Sequence, residues 1–317
     1  MMDQEQINNP LQELVQKLHN AKDKQFTFLL VGRAGVGKSS TVNSLMGKEI
    51  AKVGDFEATT KIVQEYTSEM NGVKFNVVDT PGLCDDLEEE GNDSEYLNLM
   101  LSQVKEIDSM WFVSRLDDTR VTGDEKRGIK LITQAFGVDV WKHAVIVFTF
   151  ADNVKQDKYD ARLDKRTELI RKEIEKQTKS TKIANNIPSV AVDNNSETTP
   201  DGKKWLGELY TKVFTRMSQN GLTSFLVATA EFIAPQGNIS SFEPDFNNQS
   251  VKNQQQSKPR IELNEAQKKE IKKTINASII PASAIVGASI GSVIPGIGTV
   301  AGGAIGAGVA LLAWLWD

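Results

Sequence analysis

With 317 residues, 25% of them charged and 39% hydrophobic, the chain is long enough for one large domain with an appendage, or for two modest domains. A formal net charge of -5 leaves no general basic footprint for nucleic acid. The lone Cys84 excludes an intramolecular disulfide and fits a reducing compartment, and with only His19 and His143 beside it a zinc cluster is not expected.

In chain order, the acidic, polar start (MMDQEQINNPLQELVQKLHN) does not read as a secretory signal. It predicts a short helix with Asn9 as N-cap, Pro10 at the first position, and one apolar stripe of Leu11, Leu14, Val15 and Leu18. Phe26–Gly32 reads as a buried strand, followed by a glycine-rich loop and a helix from about Lys38 to Met46. KIVQEYTSEM and VKFNVVD are two strands joined by Asn71-Gly72, a short-range hairpin signal. A helix near Ser94–Ile107 leads to the strand SMWFV, and another near Asp124–Phe136 leads to AVIVFTF. Lys158–Lys179 alternates acids and bases at helical spacing and predicts a solvated helix face. NIPSVAV is the last strand and Lys203–Met217 the last helix of this unit. Strands and helices alternating at this rhythm predict a three-layer α/β sandwich with a mostly parallel sheet and one antiparallel edge. The Gln/Asn/Ser/Pro-rich stretch from Ala234 to Arg260 reads as a linker.

Three motifs carry chemistry. GRAGVGKS places Gly32, Arg33, Ala34, Gly35, Val36, Gly37, Lys38 and Ser39, with Ser40 after them, in the phosphate-loop pattern. Glycines let backbone N–H groups turn inward around phosphates, and the following helix adds its positive end. In that pattern Lys38 reaches the β- and γ-phosphates and the Ser39 hydroxyl binds Mg²⁺. DTPG follows at the end of a strand: Asp79 would hold Mg²⁺ through water and the Gly82 amide would meet the γ-phosphate. Between the two, Thr60 or Thr59 of EATTKIV would cover the metal. The residue after DTPG is Leu83, where familiar switch GTPases carry a glutamine that orients the attacking water. The third motif is TFAD after a buried strand, with Thr149 and Asp152 in a T-x-x-D arrangement. A carboxylate there accepts from the guanine N1–H and 2-amino group, a pair adenine lacks, so GTP is expected over ATP. Phe150 stands where lysine usually stacks on the base. Asp193 and Asn194, in VAVDNN, are placed to complete the base pocket.

With these residues placed, Arg115–Asp152 (RLDDTRVTGDEKRGIKLITQAFGVDVWKHAVIVFTFAD) resembles the signature region of AIG1/GIMAP-type GTPases, and is similar to the related plastid import receptors of the Toc type. The resemblance covers about Phe26–Gly221. It implies a paraseptin-like P-loop G domain that binds GTP or GDP with Mg²⁺, dimerises across its nucleotide faces and often sits on a membrane by its C-terminus. It also implies that the residue after DTPG is not a catalytic glutamine. Arg120 matches a family arginine that reaches the other subunit's nucleotide, so a partner copy is expected to supply what Leu83 cannot.

The C-terminal stretch divides differently. Thr274 to Trp316 holds no charged residue and splits at Pro295-Gly296 into two halves, each near the ~20 residues that cross a bilayer. Gly287 and Gly291, then Gly298, Gly302 and Gly306, recur four apart as in close-packed membrane helices. Trp314 and Trp316 suit an interface, and Lys268, Lys269, Lys272 and Lys273 suit anionic headgroups. The expected organisation is an N-terminal helix (1–25), a G domain (26–233), a polar linker (234–260), a basic amphipathic helix (261–273) and a glycine-rich hydrophobic helical hairpin (274–317). The hairpin either enters the membrane or packs as a water-soluble pair. The expected function is a membrane-anchored, slowly hydrolysing GTP switch that forms homodimers or homo-oligomers on the cytoplasmic face of an intracellular membrane. A non-hydrolysing GTP-bound scaffold, or a G domain regulating a membrane-active tail, stays open beside it.

Overall fold

Ten α-helices, two 3₁₀ turns and six strands follow one another in the described residues, which are 13–51, 63–80, 92–233, 261–279 and 303–316 of a computed structural model. They run α1 (residues 13–20), β1 (Gln25–Val31), α2 (Lys38–Met46), β2 (Gln64–Met70), β3 (Val73–Thr80), α3 (Asn92–Gln103), β4 (Ser109–Arg115) and α4 (Gly123–Phe136). Then come β5 (Ala144–Thr149), α5 (Gln156–Thr178), α6 (Thr181–Asn186), β6 (Ser189–Ala191), α7 (Trp205–Arg216), α8 (Gln219–Ile233), α9 (Glu265–Ser278) and α10 (Gly303–Trp316). The chain forms two units: Phe26–Ser68 with Phe75–Ser218, and Met1–Gln25 with Glu69–Lys74 and Gln219–Asp317.

The first unit is the expected three-layer sandwich. Its sheet has the order β2-β3-β1-β4-β5-β6, and β1, β4, β5 and β6 pair in parallel, with Phe28 opposite Ser109 and Trp111 opposite Val145. Strands covered on both faces read as unbroken apolar runs, which is why β1, β4 and β5 were legible from sequence. Leu29, Val31, Met110, Phe112, Ile146 and Phe148 face a core shared with α3, α4 and α5. On the other side α7 packs on β5 and β6 and meets α2, while Phe28 tilts against Trp111 at 5.2 Å between ring centroids. Asn71 and Gly72 take φ of 51° and 75°, the paired positive values that let a two-residue turn follow the strand twist.

Three elements differ from the sequence expectation. The helix expected to reach Ile107 stops at Gln103. Ser180 caps the short α6, accepting from Ile183 N at 3.2 Å, in a stretch between Lys179 and the last strand to which the sequence reading assigns no element. Gln219–Ile233 is a full helix that the sequence reading passed over: it is buried nearly all round, so it has no polar face to show a period.

The second unit is helical. Buried α8 packs on α10, and Ser224 Oγ donates to the Ala21 carbonyl after α1. Asn264 and Gln267 form a reciprocal cap for α9 (2.8 and 2.9 Å), whose stripe of Gln267, Ile271 and Ile275 is buried. On α10, Ala307, Val309, Ala310, Leu311, Leu312 and Leu315 are buried. Lys268 lies 4.4 Å from the Trp314 ring centroid and Lys272 5.8 Å from that of Trp316. Both tryptophans and both lysines therefore meet each other within this unit. Among the described residues no helix is long and apolar enough to cross a membrane. The linker (234–260), the Pro295-Gly296 split and the glycine pairs 287/291 and 298/302 lie outside the described residues.

Because α10 is seated by its leucines, Leu311→Ala should cost the second unit about 2–5 kcal/mol, the range for deleting a buried leucine. Hydrogen exchange should show faster opening of α8 and α10 amides, with β1, β4 and β5 unchanged.

Candidate functional site

The carboxyl ends of parallel strands are where open α/β sheets bind ligands, and there this chain gathers its motif residues. Gly32 follows β1 so closely against β4 that a Cβ on it would lie 2.3 Å from the Val113 carbonyl oxygen. The loop then turns through Gly35 (φ 69°) and Gly37 (φ 89°) into α2. A Cβ on Gly37 would sit 3.0 Å from Asn194 Nδ2 and 3.3 Å from Thr149 Cγ2, so this glycine is wedged between the ends of β5 and β6.

Lys38 is almost fully buried and donates to the carbonyls of Gly32 and Arg33, both at 2.9 Å, with Asp79 Oδ1 at 3.5 Å from its Nζ. Ser39 and Ser40 open α2, half-buried. Asp79 belongs to β3, whose next residue, Thr80, ties back to β1 by donating to the Leu30 carbonyl at 2.9 Å. A cradle of positive-φ glycines, an ammonium across it and a carboxylate beside that ammonium suit a magnesium-bound polyphosphate. Thr60 (like Thr59), Gly82 and Leu83 lie outside the described residues.

The base-side residues divide into builders and presenters. Thr149 is fully buried and its hydroxyl donates to the carbonyls of Val36 (2.7 Å) and Ser114 (3.2 Å), locking the loop to β4 and β5. Asp193, also buried, forms a turn in which Oδ1 accepts from Asn195 N at 2.9 Å. Asn194 pairs with Thr41 of α2 at 3.1 Å between Nδ2 and Oγ1. Asp152 is exposed on a 3₁₀ turn after β5, and Asn195, absent from the sequence reading, donates to its Oδ2 at 3.1 Å. Phe150 holds a left-handed conformation (φ 55°), with the Arg115 guanidinium 3.9 Å from its ring centroid. Arg115 is gripped by Asp117 through two hydrogen bonds of 2.9 and 2.7 Å. That grip holds the Asp117 carboxyl below the usual carboxylate range and raises the Arg115 guanidinium.

Arg120 is exposed on the segment between β4 and α4. Four arginines tie this segment down. Arg115 holds Asp117 as above, and Arg33 of the glycine loop meets Asp118 Oδ2 at 2.6 Å. Arg162 donates to the carbonyls of Asp117 and Asp118 at 3.1 and 3.3 Å, and Arg166 to that of Arg120 at 2.8 Å. Arg166 is 1% exposed and its Nη2 donates to Glu125 Oε1 at 2.9 Å; Glu125 is 2% exposed. The sequence reading put all of Lys158–Lys179 on a solvated face. A signal was there to read: Arg166, Ile170, Ile174 and Thr178 recur every four residues, and all four are buried.

A glycine loop between the first strand and a helix, on a largely parallel sheet, defines a P-loop nucleotide-binding domain of the G-domain type. The chain belongs to the AIG1 family, which matches residues 26–224, and is a P-loop GTPase. It is 30% identical over 229 residues to "Translocase of chloroplast 33, chloroplastic" of Arabidopsis thaliana, spanning 66% of this chain and 74% of that one. The crystal structure of Arabidopsis Toc33 with GDP and Mg²⁺ matches with a TM-score of 0.53 at 28% identity, covering 68% of this chain and 91% of that one. A second matched structure (TM-score 0.51, 28% identity, 64% and 88% covered) is titled as showing that dimerization is important for the GTPase activity of the chloroplast translocon components atToc33 and psToc159.

Thr149→Val keeps the shape but strips the donor shared by Val36 and Ser114. The loss should be about 1–3 kcal/mol of first-unit stability, read as a lower Tm, with weaker nucleotide binding by titration. Asp117 has a folded pKa below its unfolded one. Its contribution is therefore fully present above the ordinary carboxylate range and is lost as pH falls through the lowered value. Carboxyl NMR should show Asp117 still ionised where exposed aspartates have protonated.

Proposed function

We propose that this chain is a guanine-nucleotide switch. It binds GTP or GDP with Mg²⁺ on the 32–40 loop, hydrolyses GTP slowly, and pairs with a second copy across the nucleotide face to organise partners on the cytoplasmic side of an intracellular membrane. The observation that carries this reading is the placement of Arg120: exposed, held from behind by Arg166, and two residues from the Asp118 that pairs with Arg33 of the glycine loop.

In this reading Lys38 trades its loop carbonyls for phosphate oxygens. Ser39, Asp79 and Thr60 would hold Mg²⁺, which would neutralise phosphate charge, and the Gly82 amide would face the γ-phosphate. Asp152 accepts from the guanine edge, steadied by Asn195, while Asn194 and Asp193 shape the base side. Phe150, backed by Arg115, offers the ring that replaces the usual lysine stack. Catalysis is positioning plus charge stabilisation, with no general base assigned. Arg120, crossing to the partner's nucleotide, would stabilise developing charge there, compensating for the water-orienting glutamine that is absent after DTPG. The dimerization dependence reported for Toc33 and Toc159 supports this arrangement. Membrane contact falls to the apolar C-terminal stretch, in which α10 would exchange α8 for lipid.

GTP turnover per molecule should rise with protein concentration, while Arg120→Ala stays at the dilute rate. Arginines supplied in trans add about 10³–10⁵ in better-studied GTPases. Turnover near zero at every concentration, with GTP tightly held, would instead identify a nucleotide-bound scaffold.

A further inference from the structure

The segment from Leu116 to Thr122 has no regular structure of its own, yet the backbone of five of its seven residues is hydrogen-bonded. Leu116 N donates to the Thr149 carbonyl at 2.9 Å. Arg162 takes the next two carbonyls and Arg166 that of Arg120. At the far end Glu125 does two jobs with one carboxylate. Its Oε2 accepts from Thr122 N at 2.8 Å, closing the reciprocal cap of α4, and its Oε1 accepts from Arg166. Ser114, the penultimate residue of β4, meets both Arg166 and Glu125.

A helix cap does not need a buried partner charge, and replacing a buried ion pair by apolar side chains is often neutral or stabilising. What this pair supplies that apolar packing cannot is direction: a guanidinium aimed at one carbonyl and a carboxylate aimed at one N–H, on either side of Val121. We propose that Arg166 and Glu125, with Asp118, are positioning residues for Arg120. They set the backbone that presents the arginine to a second copy of the chain, and do so without touching nucleotide. This rests on the trans role given to Arg120 above. Asp118 links the same segment to Arg33, so the loop that surrounds the phosphates and the loop that carries the arginine are held in one register.

The test uses the full chain with Arg166→Lys, which keeps the charge but lacks the rigid planar fork that directs one nitrogen at Arg120 O and another at Glu125. Asp118→Asn, at a half-buried site, serves as the second variant, and Arg120→Ala as the reference. Melting temperature and GDP affinity at dilution are measured beside turnover against concentration. The expected result is GDP affinity within about threefold of the parent and an unchanged dilute rate. The concentration-dependent gain should fall about ten- to a hundredfold in Arg166→Lys, since a displacement of about 1 Å can cost a factor of 10². It should fall by a smaller factor, up to about fivefold, in Asp118→Asn, whose pair is worth about 0–1 kcal/mol. In the double variant with Arg120→Ala no further loss should appear. A folded Arg166→Lys that keeps the full gain, or losses that multiply in the double variant, overturns the inference. Should Arg166→Lys not fold, Asp118→Asn decides by the same readouts. If Arg120→Ala itself keeps the gain, the trans reading fails and this one with it. If Arg120→Ala loses the gain and the other variants keep it, only the positioning role is overturned.

Discussion

The nucleotide face depends on how closely β1 can release its chain past β4. At Gly32 the gap to the Val113 carbonyl admits no Cβ, and Val113 cannot retreat because β4 is paired with β1 on one side and β5 on the other. A side chain there would have to displace sheet backbone, unlike a clash with the end of a flexible side chain. Once the chain passes that point, the loop is caught by groups from neighbouring strand ends: the Thr149 hydroxyl on Val36, and Asn194 against Gly37. Its conformation is therefore set by the sheet beneath it, and the parallel order of β1, β4, β5 and β6 is what brings those strand ends together.

Charge is distributed around this face unequally in energetic terms. The Arg33–Asp118 pair is about a quarter exposed on both sides, and pairs of that kind contribute about 0–1 kcal/mol. Removing one member of a pair as buried as Arg166–Glu125 costs about 3–5 kcal/mol, because the survivor is left uncompensated. The first can yield when a ligand or a second copy competes for it; the second cannot. The segment carrying Arg120 is thus fastened rigidly at its α4 end and lightly at its glycine-loop end. Such a segment can respond to the phosphate site by small shifts without losing its place on the fold.

How much of this was legible in sequence follows from which residues announce themselves by pattern. β1, β4 and β5 show as apolar runs because both their faces are covered, and Asn71-Gly72 because only a few residue pairs accept two positive φ values in succession. The glycine loop, Lys38 and Asp79 show because the chemistry fixes their spacing. The supporting groups do not. Arg166 is a charge among charges until the stripe through Ile170 and Ile174 is traced back one turn, and its partner Glu125 lies 41 residues earlier. Thr149 differs from its expected role, and Asn195 escapes the sequence reading, for the same reason. A motif names the residues near a ligand, but only the folded chain shows which of them face it and which, like the buried Thr149 hydroxyl, hold the loop that does.

The C-terminal stretch was legible in composition and ambiguous in destination, for a physical reason. A helix satisfies its own backbone, so an uncharged helix rich in Ala, Leu and Gly is compatible with lipid and with a protein core alike. Neighbours separate the two. Among the described residues α10 runs for 14 residues, about 21 Å. Its neighbours are already apolar: α8 offers Leu222, Phe225, Leu226 and Val227 from a helix buried on nearly every side. The tryptophans that would mark an interface instead carry the ammonium groups of Lys268 and Lys272 over their rings, a contact in which water still reaches the charge. Lipid would have to replace the α8 contacts and headgroups the lysine–tryptophan contacts together, because both are made by the same 14-residue helix. Membrane engagement by this helix, as proposed above, would therefore require the second unit to open, and the α8–α10 packing would oppose it.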